Sequence, residues 1–303
     1  MNALERCFGL AEHETTARRE ILAGVTTFLT MAYIVFVNPA ILSDAGMDRD
    51  AAFVATCIAA AFGSLLMGLL ANYPIALAPG MGLNAFFTYT VVAQMGHSWQ
   101  TALGVVFLSG LIFLALSVLP VREWIVNAIP RALKMAISAG IGMFLAIIAL
   151  KNAGIIVDSP ATLVQLGDLA APGALLATLG FFAMVAMDRL NIPGAILIAV
   201  IGVTVIAMVA GHQSFGGIAS APPSIAPTFL ELDLASALEL SLISVVFAFL
   251  FVDLFDTAGT LIGVAHRAGL LDENGKLPRL RSALLADSLA TVAGAAVGTS
   301  TTT

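Results

Sequence analysis

Four polar side chains stand where an apolar chain has little reason to keep them. Asp253 and Asp256 lie in FAFLFVDLFDTAGTLIG (247–263), Asp287 in ALLADSLATVAGAAVG (283–298), and Asn84 in YPIALAPGMGLNAFFTYTVV (73–92). An acid placed mid-membrane costs about 3 kcal/mol on insertion scales, so its default reading is functional. At 100° per residue, Phe249, Asp253, Asp256, Thr257 and Thr260 fall on one helical face. That face joins an aromatic ring to two acids and two hydroxyls, a set that suits a flat heterocycle bearing N–H donors. A carboxyl group shielded from water can also carry a proton near neutral pH. The bland alternative, an Asp that snorkels or bonds backbone, serves for either acid alone better than for both. Asp287, with Ser288 and Thr291 beside it, reads equally as an interhelical hydrogen-bond post or as a gating element.

The stretch around Asn84 is a different kind of signal. Pro74 and Pro79 lack amide donors, while Gly80 and Gly82 permit non-helical turns. Backbone without a partner cannot face lipid, so the break must be buried in protein or line a cavity. The pattern predicts an extended segment over Pro74–Ala78 and then a half-helix starting near Asn84. Its free amides would point at the membrane midplane. Asn84 suits an N-cap there and adds a donor and an acceptor. A loop followed by an ordinary helix with no ligand is the alternative. The absence of any charge from Asn72 to Gln100 weighs against it.

The elements that must position these residues follow from composition. The chain has 303 residues, 59% hydrophobic and 11% charged, with mean hydropathy +1.00. Soluble domains devote roughly a quarter of their residues to charge. Repeated apolar runs of about 20 residues match a bilayer core of about 30 Å. The class is an all-α, multi-span membrane protein. Apolar runs fall at Ile21–Val37, Ala51–Ala71, Asn84–Met95, Ala102–Leu119, Lys134–Leu150, Gly173–Met187, Ile192–Ala210, Leu238–Val264 and Ser282–Val297. Between them stand the breakers Asn38-Pro39, Pro120, Pro130, Pro160, Pro172 and Pro222-Pro223.

A cytoplasmic N-terminus with every run crossing puts Arg6, Arg18, Arg19, Arg122, Arg131, Lys134, Arg189, Arg267, Lys276, Arg279 and Arg281 inside. Arg49 and Lys151 alone remain outside. Without the short run as a span, that bias collapses. Residues 1–20 carry seven charges and no apolar core, so no cleavable signal peptide is expected. Cys7 and Cys57 make no disulfide framework, and His13, His97, His212 and His266 fall in tails or loops, so no metal or cofactor is expected. A net charge of −6 without a basic stripe argues against nucleic acid. No nucleophile-elbow, phosphate-loop or zinc-protease motif occurs, and no enzymatic activity is expected. Gly294 and Gly298 are spaced to let helices approach closely. The polar run Gly298–Thr303 after the last span leads to the expectation that the chain is a fragment lacking its C-terminal part. TSTTT (299–303) is suited to a second extended segment entering opposite Pro74–Ala78, as an inverted repeat would require.

PGMGLNAFFTYTVV (79–92), FVDLFDTAGTLIGVA (251–265) and DSLATVAGAAVGTSTTT (287–303) resemble the nucleobase–cation symporters of the xanthine/uracil permease superfamily. The similarity is greatest to the adenine, guanine and hypoxanthine branch. AGVTTFLTMAYIVFVNPAIL (23–42) and MAISAGIGMFLAIIALKNAGI (135–155) resemble that branch too, so the likeness covers essentially the whole chain.

The resemblance implies 14 segments in two inverted repeats of seven, with about nine and the start of a tenth present here. On that plan 1–20 is a cytoplasmic tail and 21–119 holds core segments 1–4. Residues 120–210 form gate segments 5–7, 211–235 an external loop, and 236–303 core segments 8–9 with the start of 10. It implies proton-coupled purine uptake at an inner membrane by alternating access of core against gate. Gly82, Asn84, Asp253, Asp256 and Thr257 would bind the base, Phe86 or Phe249 would stack on it, and Asp253 and Asp287 would couple protons. A glutamate of segment 10 completes the family's site and lies beyond Thr303. The expected partners are a purine base, a proton, membrane lipid and a second copy of the chain. Two other classes compete: an anion carrier or channel of the related sulfate-type fold, which two acids disfavour, and a scaffold, which has no use for mid-membrane carboxylates.

Overall fold

Apolar runs interrupted by Pro, Gly and Asn should fold as helices broken near such residues, and at residues 72–80 the chain does. A computed structural model of the protein describes residues 8–11, 13–118, 131–214, 217, 220–273 and 276–303. Glu5, Arg6, Cys7 and Glu12 of the tail lie outside the described residues, as do Pro120, Arg122, Pro130 and the boundary at 119–120. The side chains of Arg131, Lys134 and Arg267 do so as well.

The helices are α1 (Ala17–Met31), α2 (Ile34–Asp44), α3 (Arg49–Leu66), α4 (Met81–Ala85), α5 (Trp99–Val118), α6 (Arg131–Asn152), α7 (Pro172–Arg189), α8 (Ala195–Val209), α9 (Leu234–Ala237), α10 (Ile243–Arg267) and α11 (Leu280–Val297). Two π-helical stretches, Met67–Ala71 and Phe86–Gln94, continue α3 and α4. Among the described residues, five helical stretches are long and apolar enough to cross a membrane. They are Ala17–Asp44, Arg49–Ala71, Trp99–Val118, Leu240–His266 and Leu280–Val297. The protein is mostly helical. It also carries one element the sequence reading did not anticipate: strands β1 (Ile156–Ser159) and β2 (Leu163–Leu166) form an antiparallel hairpin pairing Ile156 with Leu166 and Ser159 with Leu163. Pro160 lies in its turn, and Leu163 takes a left-handed φ of 66° to close it.

The chain divides into two compact units, Met1–Gly24 with Ile34–Ser138 and Pro222–Thr303, and Val25–Tyr33 with Ala139–Ala221. In the second, α7 packs on α8, with Gly180 against Val203. In the first, α11 packs on α3 and α5. Gly63 and Gly110 permit that approach, since a Cβ on Gly63 would stand 3.0 Å from Ala290 Cβ and one on Gly110 3.1 Å from Thr291 Cγ2. Gly294 and Gly298 do not serve helix packing as their spacing suggested. Gly294 faces Thr299, Ser300 and Thr302 of the chain's own returning end, and Gly298 (φ 101°) caps α11 against Thr228. A Gly pair at a helix C-terminus is as fit for a turn as for a seam.

Asn38-Pro39, expected in a connection, lies inside α2. Pro39 is the sixth residue of that helix, past its first turn, so its missing amide forfeits the helical bond to the Val35 carbonyl. α4 begins at Met81, earlier than expected. Gly80 is its extended N-cap (ψ 115°), and the Asn84 amide already donates to the Gly80 carbonyl at 3.0 Å. Asn84 therefore sits one turn inside the helix and does not cap it.

On α10 the two faces are distinct. Phe247, Phe251 and Phe255 form a stacked ladder on one side, centroids 6.2 and 5.9 Å apart, with Phe247 and Phe251 exposed as a lipid-contacting stripe would be. Phe249, Asp253 and Thr257 are buried on the other side. The start of this span is docked by α9. Asp233 accepts the Ser236 amide at 3.1 Å, and its own amide donates to the Gln100 carbonyl of α5 at 3.1 Å. Bonds from Ser236, with a further one from the Thr101 hydroxyl, hold the Asp233 carboxyl below its ordinary range. The cap is therefore present above the ordinary carboxylate pKa and is lost as pH falls through the lowered one.

Candidate functional site

Residues 72–80 run without helix and meet the end of the chain. The Ala78 amide donates to the Thr303 carbonyl (3.2 Å), Thr303 returns the bond to Ala78 (2.9 Å), and Gly80 donates to Thr301 (2.9 Å). Pro79 pairs with Thr302 between those bonds, at an antiparallel position where neither amide is used in the pairing. A proline therefore fits there without losing a bond. Close approach also needs Gly80, because a Cβ on it would lie 2.8 Å from Thr303 Oγ1.

The outward-facing peptides of both segments are satisfied in the same way. Ser64 of α3 accepts the Leu77 amide (3.1 Å) and donates to the Leu77 carbonyl (3.2 Å). Thr291 of α11 accepts the Thr302 amide (3.1 Å) and donates to the Thr302 carbonyl (3.1 Å). A helix hydroxyl that brackets one peptide removes the penalty of non-helical backbone in an apolar interior.

Around this crossing lies a buried polar layer. Asn84, fully buried, donates from Nδ2 to Asn38 Oδ1. Asn38 Nδ2 donates to Thr56 Oγ1 (2.7 Å) and Thr299 Oγ1 (2.9 Å), and the Thr56 hydroxyl donates to the Ala52 carbonyl (2.6 Å). On α10, Asp253 is 1% exposed; its Oδ2 stands 3.5 Å from the Thr291 hydroxyl. One helical turn on, Thr257 donates to Asp287 Oδ2 of α11 at 2.9 Å. The two helices thus exchange acid–hydroxyl pairs in opposite order: Asp253 with Thr291, and Thr257 with Asp287. Each helix supplies one acid and one threonine four residues apart. The single Thr291 hydrogen has two acceptors in reach, Asp253 and the Thr302 carbonyl. Asn84 Oδ1, Asp253 Oδ1, Ser300 Oγ and Thr301 Oγ1 are buried with no hydrogen-bond partner among the described residues.

Phe86 and Phe249 touch edge to face, centroids 5.1 Å apart, and both pack in the core cluster with Leu83, Phe87 and Leu103. Gly82 is half-buried in the first turn of α4. Asp256 is also half-buried, and no described group bonds its carboxylate. Thr260, expected on the same face, is exposed and donates to the Asp256 carbonyl at 2.7 Å. A face 100° wide spans both the buried and the exposed edge of a packed helix. Among the described residues no cluster of three metal-ligating side chains occurs.

Asn38, Thr56, Thr291 and Thr299 are partners that the residue-by-residue reading passed over or gave no role in the site. The available signal was polarity inside apolar runs: Asn38 interrupts IVFVNPAIL, as Asn84 interrupts its own run. Replacing Thr257 by Val removes the hydroxyl from Asp287 Oδ2 and is expected to destabilise by about 1–3 kcal/mol. Thr257→Ser should be spared, and thermal unfolding in detergent reads the difference.

Residues 18–303 match the sequence pattern of a family described as the permease family. The adenine permease AdeP of Escherichia coli is 50% identical over 300 residues, covering 99% of this chain and 67% of that protein. A putative permease of Methanocaldococcus jannaschii is 55% identical over 304 residues, covering 100% of this chain and 70% of that protein. The guanine/hypoxanthine permease PbuG of Bacillus subtilis is 47% identical over 312 residues, covering 98% and 70%.

Proposed function

We propose, because this chain belongs to the permease family, that it imports purine nucleobases across the cell membrane by proton symport. It is a multi-pass membrane transporter and not an enzyme. The substrate class rests on relatives named for adenine and for guanine/hypoxanthine. One structural observation carries the site: Asp253, sealed mid-span, keeps Oδ1 without a partner beside a hydroxyl that also holds the strand crossing. An unsatisfied buried acceptor is costly, and an N–H donor from a base is what would satisfy it.

In this reading Asp253 accepts from the base and carries the coupled proton. Asn84 and the amides near Gly82 contact the ring edge, and Asp256 and Thr257 shape the same side. Phe86 or Phe249 stacks on the ring, and Asp287 takes part in the proton's path. Ionised Asp253 draws the Thr291 hydrogen; neutral Asp253 leaves it to Thr302, which links proton state to the crossing. The architecture proposed is two inverted repeats of seven segments. The paired extended segments and their matching Ser64 and Thr291 brackets support it. Core segments 1–4 and 8–11 would move against gate segments 5–7 and 12–14, with the N-terminus in the cytoplasm. A homodimer in lipid is the proposed assembly.

A sulfate-type site would favour cations or bare helix termini over Asp253 and Asp256, so the anion reading is not favoured. The test is uptake of radiolabelled adenine, guanine and hypoxanthine by the full-length protein, with and without a protonophore. Thermal stabilisation by purines and not by sulfate is expected alongside. Uptake indifferent to the protonophore would remove proton coupling, and stabilisation by sulfate alone would remove the purine assignment.

A further inference from the structure

We infer that Asn38 and Thr56 are positioning residues which fix the amide of Asn84 in one orientation, so that its oxygen holds one set place as the acceptor offered to the substrate. The inference rests on the purine reading above and goes beyond it, since neither residue is in the proposed binding set.

The argument is one of hydrogen-bond polarity. A threonine hydroxyl has one hydrogen, and that of Thr56 is donated to the Ala52 carbonyl of its own helix at 2.6 Å. Toward Asn38 it can only accept, so the side-chain atom 2.7 Å away must be the amide nitrogen. The second hydrogen of the same nitrogen goes to Thr299 Oγ1 at 2.9 Å. Asn38 then has only its oxygen to turn toward Asn84, and Asn84 must answer with its nitrogen. What remains on Asn84 is Oδ1, buried and unpartnered, and one Nδ2 hydrogen that the bond to Asn38 does not use. A helix carbonyl at Ala52 thus dictates, through the side chains of Thr56 and Asn38, the sign of a group on α4.

That sign matters for purines. Adenine carries a donor amine at position 6 beside an acceptor nitrogen, whereas hypoxanthine and guanine carry an acceptor oxygen beside an N–H. An amide free to flip would serve either pattern with either atom. A fixed amide must be met by an N–H, and so it sets which register each base adopts. Sites built on fixed polar groups discriminate strongly because a mismatched base leaves a buried group unpaired. All four side chains belong to one compact unit.

The test uses the full-length protein in liposomes, with binding and uptake of adenine and hypoxanthine measured for Thr56→Val and Thr56→Ser. Thr56→Val keeps the shape of the side chain and releases the Asn38 amide. It is expected to weaken base affinity about tenfold, equivalent to 1.4 kcal/mol, and to change the adenine-to-hypoxanthine ratio, with some fall in the unfolding temperature of the base-free protein because the buried Asn38 amide is left unpaired. Thr56→Ser should match the wild type in both. Unchanged affinity in folded Thr56→Val overturns the inference, and so do equal losses for both bases, the mark of a packing defect. If Thr56→Val fails to fold, Thr299→Val, which removes the other acceptor, is read by the same criteria. A wild-type protein that binds neither base would instead sink the purine reading itself.

Discussion

Asp253→Ala is expected to lower purine uptake by roughly two orders of magnitude while the protein still folds and reaches the membrane. Hydrogen bonds to a charged group are worth about 1.5–3 kcal/mol each, so losing the one or two that a base would make predicts a 10- to 100-fold fall or more. Folding should survive because Asp253 stabilises little in the unliganded protein. Its Oδ1 has no described partner, and its Oδ2 has only the 3.5 Å approach of a hydroxyl already placed on Thr302. Removing an acid that is poorly satisfied relieves a desolvation penalty and does not open a network. Asp253→Asn separates the two roles assigned to this residue. It keeps size and an acceptor but cannot cycle a proton. Exchange of labelled for unlabelled base should persist in part, while concentrative, protonophore-sensitive uptake is lost. The measurements are radiolabelled uptake and counterflow in liposomes, normalised to protein in the membrane. Wild-type uptake by Asp253→Ala would falsify the assignment.

Gly298→Ala is expected to be the most damaging single-atom change to the fold, about 3 kcal/mol, read as a fall in unfolding temperature and in folded yield. Two effects add there. A left-handed backbone costs a residue with a Cβ roughly 1–2 kcal/mol, and φ at Gly298 is 101°. The added methyl would also overlap Thr228, whose side chain and carbonyl lie within van der Waals contact of that position. Thr228 is fully buried and donates to the Val297 carbonyl at 3.1 Å, and Leu230 donates to Ala296 at 2.8 Å. The loop before α9 is therefore fastened to the last turn of α11, and overpacking there adds about 1–3 kcal/mol. Gly46→Ala makes the control: its φ is also positive, at 85°, but no atom lies within 4 Å of the added Cβ, so only the backbone part of the loss should appear.

Much of the site was legible because hydrocarbon makes polar residues conspicuous. Asp253, Asp287 and Asn84 stand out in apolar runs by type alone, and all three are buried in the same compact unit. Pro74, Pro79 and Gly80 announced a break, and residues 72–80 are indeed free of helix, with Ala78–Gly80 paired against Thr301–Thr303. The start of the following helix was misplaced because a residue such as Asn84 caps well and also bonds well from inside a turn. Local preference does not distinguish the two. Asn38-Pro39 was taken for a connection because Pro ordinarily breaks a helix, whereas here the helix runs through it. The β1–β2 hairpin was missed because a short apolar run around Pro160 carries no periodicity of its own.

What the sequence by itself determined is the class of the protein and the kinds of group at its centre: apolar helices, a backbone break, and acids set inside apolar runs. These follow from composition and from the price of burying charge, which are properties of single residues. What only the tertiary structure decided is pairing. That Thr291 meets both Asp253 and Thr302, that Pro79 crosses Thr302, and that Asn38 stands between Thr56 and Asn84 depend on how separate helices and extended segments pack side by side. A hydrogen bond needs two groups at about 3 Å with the right sign, and sequence specifies each partner but not the distance between them.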